Sequence, residues 1–167
     1  MPELPVHPSH EPEIAQIVFD VFTSMLRCGA ELVPGNHVEE FGELAVAVSF
    51  SGNSEGLVLL ECTEQAARSL ASLLMRLAPV QVTASDALDA MGEIVNMIGG
   101  NLKSVLLHGA VLSLPSVVEE AGYGSLIRGA YPCETLIFKS AAGRFQITFL
   151  QTKAAIPGCR SISSTVQ

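Results

Sequence analysis

Tryptophan is absent from the sequence, and other aromatic residues are few, with two Tyr and seven Phe among 167 residues. Cations are also scarce, since nine Lys and Arg stand against 17 Asp and Glu and give a formal net charge of −8. No basic patch is interleaved with aromatic residues, although a nucleic-acid-binding surface needs such cations to neutralise phosphate groups. The composition therefore argues against binding of nucleic acid and, for the same reason, of anionic membrane surfaces.

Long hydrophobic runs are missing as well. No uninterrupted apolar run approaches the roughly 20 residues that cross a bilayer. The first eight residues are acidic and rich in proline, without the basic and apolar segments of a secretory signal. We therefore expect a soluble cytoplasmic protein.

The residues that most often form metal or nucleophile sites are poorly placed for such roles. No two cysteines have Cys-x-x-Cys spacing, which in a cytosolic chain favours isolated reduced thiols over disulfides or a zinc site. The histidines have no metal-ligand spacing, and phosphate-loop, nucleophile-elbow and His-Glu-x-x-His motifs are absent. The sequence predicts no metal or cofactor of its own. The residues concerned are Cys28, Cys62, Cys133 and Cys159, with His7, His10, His37 and His108.

What the sequence does contain is enough apolar material for one sizeable core. Apolar residues make up 49% of the chain, and its length favours a single domain. We expect an extended lead-in over 1–12, one domain over 13–153 and a tail over 154–167. Helices separated by hairpins predict an α/β (α+β) fold, in which long helices pack on a mostly antiparallel sheet.

Helix-period and alternating patterns define the expected elements. One helix begins near Pro12 and ends near Gly29, and a second is capped by Thr63 and ended by Pro79. Residues 121–130 are expected to form a loop. The predicted strands are Glu43–Phe50, Leu57–Leu60, Ala110–Leu114, Glu134–Lys139 and Phe145–Gln151, with extended chain over 115–119.

The best-defined helix follows Thr83-Ala84-Ser85-Asp86, which resembles a capping box. Its polar positions fall on one stripe opposite the apolar one, within an arc of roughly 80° at about 100° per residue. The helix ends at Gly109 and spans about 35 Å. The apolar stripe is Leu88, Met91, Val95, Ile98, Leu102 and Val105, and the polar stripe is Asp89, Glu93, Asn96, Gly100 and Lys103.

The polar stripe has two interpretations. It is either an ordinary solvated face or a surface on which a partner docks. Gly100 favours docking, because glycine costs about 1 kcal/mol in a helix interior and its missing side chain leaves space beside Asn96. Glu93 offers an anion, and Asn96 offers a donor and an acceptor on a short arm. Packing explains Gly92 and Gly99, which lie toward the edge of the apolar arc.

The spacing Asp89-x-x-x-Glu93-x-x-Asn96, followed by Gly-Asn and a later Leu-Pro-Ser-Val-Val segment, resembles the CheX branch of the CheC/CheX/FliY phosphatases of bacterial chemotaxis. The resemblance covers the chain from about Ile14 to Gln151. One such helix is present, as in CheX, whereas CheC and FliY typically carry two. Pro115 follows more closely than in the wider family pattern, so it receives no role beyond shaping its strand.

The resemblance implies hydrolysis of the aspartyl phosphate on a CheY-like response regulator. Carried over by position, Glu93 pairs with the regulator's active-site lysine, and Asn96 places the attacking water. Mg²⁺ is then in the partner's active site, and a homodimer is also implied. Asp89, Gly100 and Lys103 are candidate docking positions. The alternatives are a non-catalytic module that binds a regulator and a structural subunit of a flagellar switch.

Overall fold

The structure is a computed structural model that describes residues 9–35, 43–53, 55–119 and 133–151. The predicted loop over 121–130 and the predicted tail over 154–167 lie outside the described residues, as do the first eight residues of the lead-in.

The first helix, α1, spans Glu11–Val21 and continues as a π-helical turn over Phe22–Leu26. It ends because Arg27 adopts a left-handed conformation with φ 53°. The prediction that Gly29 terminates this helix is therefore wrong, since the chain has already left the helical conformation two residues earlier.

The second helix, α2, spans Glu64–Met75 and begins as predicted, because the side chain of Thr63 accepts a hydrogen bond from the amide of Ala66 at 3.1 Å. Arg76 is left-handed and stops the helix before Pro79 is reached. Pro79 instead opens a short 3₁₀ turn on the way to the third helix, so the predicted terminator is wrong.

The third helix, α3, spans Ala84–Leu106, and the strands form a single antiparallel sheet within the described residues. The order across the sheet is β1-β6-β7-β3-β2-β4, with β5 also paired to β2. The predicted hairpins are β2–β3 and β6–β7, and both are confirmed. The strands are β1 Ala30–Leu32, β2 Leu44–Gly52, β3 Gly56–Cys62, β4 Ala110–Leu112, β5 Ser116–Val117, β6 Cys133–Ser140 and β7 Gly143–Gln151.

The main core lies between the helices and one face of this sheet. Alternate residues of β2, Val46, Val48 and Phe50, point into it, as the alternating sequence predicts. Phe22 stacks on Phe145 with ring centroids 4.7 Å apart, which joins the end of α1 to β7. The predicted architecture, with long helices on a mostly antiparallel sheet, is confirmed.

Candidate functional site

The start of α3 is fixed locally by a complete capping box. Thr83 accepts a hydrogen bond from the amide of Asp86 at 3.1 Å, and the Asp86 carboxylate accepts one from the amide of Thr83 at 2.9 Å. The hydrogen bond from the backbone of Thr83, with a smaller contribution from the Thr83 side chain, holds the pKa of the Asp86 carboxyl below its ordinary value. The helix that carries the candidate residues is therefore anchored at a defined first turn.

One side of α3 packs closely on its neighbours at two glycines seven residues apart, and at one of them only glycine fits. A Cβ atom at Gly99 would lie 2.7 Å from Cγ2 of Val48 and 3.2 Å from Cδ1 of Leu112. A Cβ atom at Gly92 would lie 3.4 Å from Cβ of Pro115. The packing role expected for Gly99 is confirmed, since the helix lies directly on the sheet there, whereas the contact at Gly92 is an ordinary van der Waals distance that does not itself require glycine.

Pro115 is a residue whose position the sequence did not reveal. Its ring contacts α3 at Gly92, the residue before Glu93, so it does more than shape its own strand. The signal was the Leu-Pro-Ser-Val-Val segment, but no local pattern shows which turn of which helix a loop residue will meet.

The predicted polar stripe lies on the face of α3 next to this line of glycines. Asp89, Glu93 and Asn96 are exposed, and Gly100 and Lys103 are half-buried. Glu93 and Asn96 are separated by about 4.5 Å along the helix axis and by about 60° around it. The structure therefore brings the five residues together on one outward face.

Val105 does not follow the predicted pattern. The sequence predicts it as part of the apolar stripe, yet it is 51% exposed. It lies in the last turn of α3, one residue before the helix ends at Leu106.

The two asparagines of α3 differ in a way that bears on function. The Asn101 amide donates to the carbonyl oxygen of Met97 at 2.7 Å, so its polarity is used within the helix. The Asn96 and Glu93 side chains have no hydrogen-bond or ion-pair partner among the residues that the structure describes. An exposed carboxylate and carboxamide one turn apart on a rigid helix are free to bind a cation and a water or other polar group from outside.

The residues that the structure describes do not form a metal-binding cluster or a site for covalent catalysis. No cluster of three or more His, Cys, Asp or Glu able to hold a metal occurs in them. Cys62 is buried with its sulfur 4.0 Å from that of Met91, and burial, with the carboxylates of Glu43 and Glu61, raises the pKa of its thiol to about 12. This thiol is protonated at neutral pH and is a poor nucleophile.

Solved structures share this fold. CheX from Vibrio vulnificus matches with a TM-score of 0.66 and 20% identity, over 86% of this chain and 97% of that one. A CheX from Borrelia burgdorferi, in complex with CheY, BeF3 and Mg²⁺, gives 0.63 and 18% over 88% and 100%. CheX from Desulfovibrio desulfuricans gives 0.58 and 21% over 83% and 99%. No curated protein sequence matches the chain.

These matches define the class of fold, an α/β arrangement of the CheX and CheC type. The family model described as chemotaxis phosphatase CheX matches residues 44–139, a segment that includes all of α3. The chain therefore belongs to the CheX family of chemotaxis phosphatases. No helix in the described part of the chain is long and apolar enough to cross a membrane.

Proposed function

We propose that this protein accelerates the hydrolysis of the aspartyl phosphate of a CheY-like response regulator. The observation that carries the proposal is the outward pair of Glu93 and Asn96, exposed on a rigid helix without a partner among the described residues. The Borrelia burgdorferi CheX is in complex with CheY and Mg²⁺, so a protein of the same family and fold binds such a regulator. The membership of the CheX family supports phosphatase activity in general.

In this proposal Asn96 enters the active site of the regulator and holds the attacking water in line with the phosphorus atom. The water adds to phosphorus while the bond between phosphorus and the aspartate oxygen breaks, which yields free aspartate and inorganic phosphate. Phosphoryl transfer depends mainly on positioning and charge stabilisation, so a neutral carboxamide suffices for this role. The amide of Asn96 can accept a hydrogen bond from the water through its oxygen or donate one to the water oxygen through its nitrogen.

Glu93 pairs with the active-site lysine of the regulator and so fixes the orientation of α3 against it. Gly100 leaves space for the partner beside Asn96, because a Cβ atom there would have nothing within 4 Å. Asp89 and Lys103 are further docking positions on the same stripe. The magnesium ion and the phosphoaspartate belong to the regulator, and this chain supplies the positioning groups.

We also propose that the protein acts in the cytoplasm as a homodimer. The described sheet has open edges at β1 and at β4 with β5, and such edges accept pairing with a second chain. Light scattering on the purified protein measures the mass directly. A monomeric mass at micromolar concentration would contradict the dimer.

The phosphatase proposal is tested by following the decay of phosphorylated CheY with and without the protein. We expect Asn96→Ala to lower the acceleration about 100-fold, because the water loses its positioning group. Asn96→Gln should lose most of the activity as well, since its amide is displaced by one methylene. Asn101→Ala is the matched control. It lies on the same helix with its amide already bonded to Met97, so the rate should stay at the wild-type value.

Circular dichroism and urea unfolding show whether each variant keeps the fold. Full acceleration by a folded Asn96→Ala variant would exclude the proposed role of this residue. Binding of the regulator without any acceleration by the wild-type chain would instead support a non-catalytic module.

A further inference from the structure

We infer that the Ser113–Pro115 segment, called here the strap, forms a wall of the surface that receives the response regulator, with Leu114 as its apolar contact. The inference rests on the proposed function, because it names a further part of the same docking surface.

The strap lies level with Asn96. Leu112 precedes it and contacts α3 at Gly99, whereas Pro115 contacts α3 at Gly92. These two glycines are about 10 Å apart along the helix axis, and three extended residues cover about the same distance. Ser113 and Leu114 therefore pass the helix midway between the glycines, at the height of Asn96.

The strap also lies on the side of α3 that is next to Asn96. At about 100° per residue, Asn96 lies about 40° to 60° around the helix from the line of Gly92 and Gly99 that faces the strap. Asn96 is thus the first outward-facing polar residue beside the strap. A partner that contacts the Asn96 amide from this side of the helix therefore lies next to the strap.

Hydrogen bonds to the sheet hold the strap in place. The amide of Ser113 donates to the carbonyl oxygen of Ser49 at 2.9 Å, and the amide of Ser49 donates to the Ser113 hydroxyl oxygen at 2.9 Å. The Ser113 hydroxyl in turn donates to the carbonyl oxygen of Leu114 at 3.0 Å. Leu114 is therefore presented from a fixed backbone, which reduces the entropy lost on binding.

Apolar side chains border the acid–amide pair on both sides. Leu114 is 86% exposed on the strap, and Val117, just beyond it, is 55% exposed. Met97 is 42% exposed on the opposite border of the polar stripe. Single exposed apolar residues are common, but Leu114 and Met97 on either side of one exposed polar pair indicate a surface that a partner covers.

The charges of the two proteins explain why the regulator would need an apolar contact at Leu114. The chain carries a net charge of −8, and the stripe itself begins with Asp89 and Glu93. The regulator presents a phosphorylated aspartate, so long-range attraction between the partners is poor. Burial of apolar side chains beside the polar pair supplies affinity that does not depend on net charge.

The test compares Leu114→Ser with Val80→Ser. Val80 is 90% exposed in the 3₁₀ turn before α3, so it controls for loss of an exposed apolar side chain elsewhere. With phosphorylated CheY as the substrate, we expect Leu114→Ser to raise KM about 10-fold and leave kcat unchanged. Direct titration with CheY in the presence of BeF3 and Mg²⁺ should show the same loss of affinity. Val80→Ser should match the wild type in both measurements.

Three results would overturn the inference: unchanged KM and Kd in Leu114→Ser, an equal loss in Val80→Ser, or a change only in the mass measured by light scattering. The last result would show that a second copy of this chain covers the strap. A different result would show that the proposed phosphatase function is wrong. A wild-type chain that binds CheY without accelerating dephosphorylation contradicts the phosphatase activity, while the Kd comparison at Leu114 still decides the docking surface.

Discussion

A Cβ atom at Gly99 would lie 2.7 Å from Cγ2 of Val48, which is closer than real Cβ atoms approach a neighbour. The next residue is the opposite case, because a Cβ atom at Gly100 would have nothing within 4 Å. The two adjacent glycines of α3 therefore have different structural roles. Gly99 allows the helix to lie on the sheet, and no contact among the described residues requires Gly100.

Gly99→Ala should destabilise the fold by about 1–2 kcal/mol. The added methyl group meets the stiff, β-branched Val48 in the core, and the cost of overpacking exceeds the gain in helix propensity. Urea unfolding followed by circular dichroism measures the change. An unchanged or increased free energy of unfolding would show that β2 moves aside without cost.

Gly100→Ala should have the opposite effect on stability. It removes the conformational cost of glycine from an open helix position, so we expect a gain of up to about 1 kcal/mol. The same variant should accelerate dephosphorylation of CheY less than the wild type does, because its methyl group occupies the space left for the partner. A stabilised variant with full activity would show that the partner does not use this space.

The proposed ion pair of Glu93 predicts a salt dependence. Raising the ionic strength screens the attraction between the Glu93 carboxylate and the regulator's lysine, so the affinity of the wild type for phosphorylated CheY should fall. Glu93→Gln should bind more weakly at low salt and show a smaller dependence on salt. Parallel dependences in the two proteins would contradict the assigned pair. Lys103→Gln tests a second charged docking position in the same titration.

The capping box predicts a loss of stability in acid. The pKa of Asp86 is lowered in the folded chain from its ordinary value of 3.8, chiefly by its hydrogen bond to the backbone of Thr83. Its contribution is therefore complete above about pH 5 and disappears as the pH falls through the folded pKa. The difference in free energy of unfolding between the wild type and Asp86→Ala should shrink below pH 4. A difference that stays constant down to pH 2 would contradict this.

Much of the fold could be predicted because its signals are local. The capping box at Thr83 and Asp86 and the alternation in β2 each lie within a few residues of the element they define. The face of α3 that carries Glu93 and Asn96 was predicted for the same reason, since helix periodicity alone separates it from the buried face. The errors at Gly29 and Pro79 also have a local origin, because left-handed conformations at Arg27 and Arg76 have no strong sequence signal. The error at Val105 does not, since its exposure depends on how whole elements pack.

The sequence by itself determined the helices, the hairpins and the outward pair of Glu93 and Asn96, because each follows from residues close together in the chain. Only the tertiary structure decided the order of strands across the sheet and the approach of α3 to Val48. It also decided that Leu114 stands level with Asn96. These relationships join residues far apart in sequence, and they depend on the packing of whole elements, for which periodicity, capping and turn residues carry no signal.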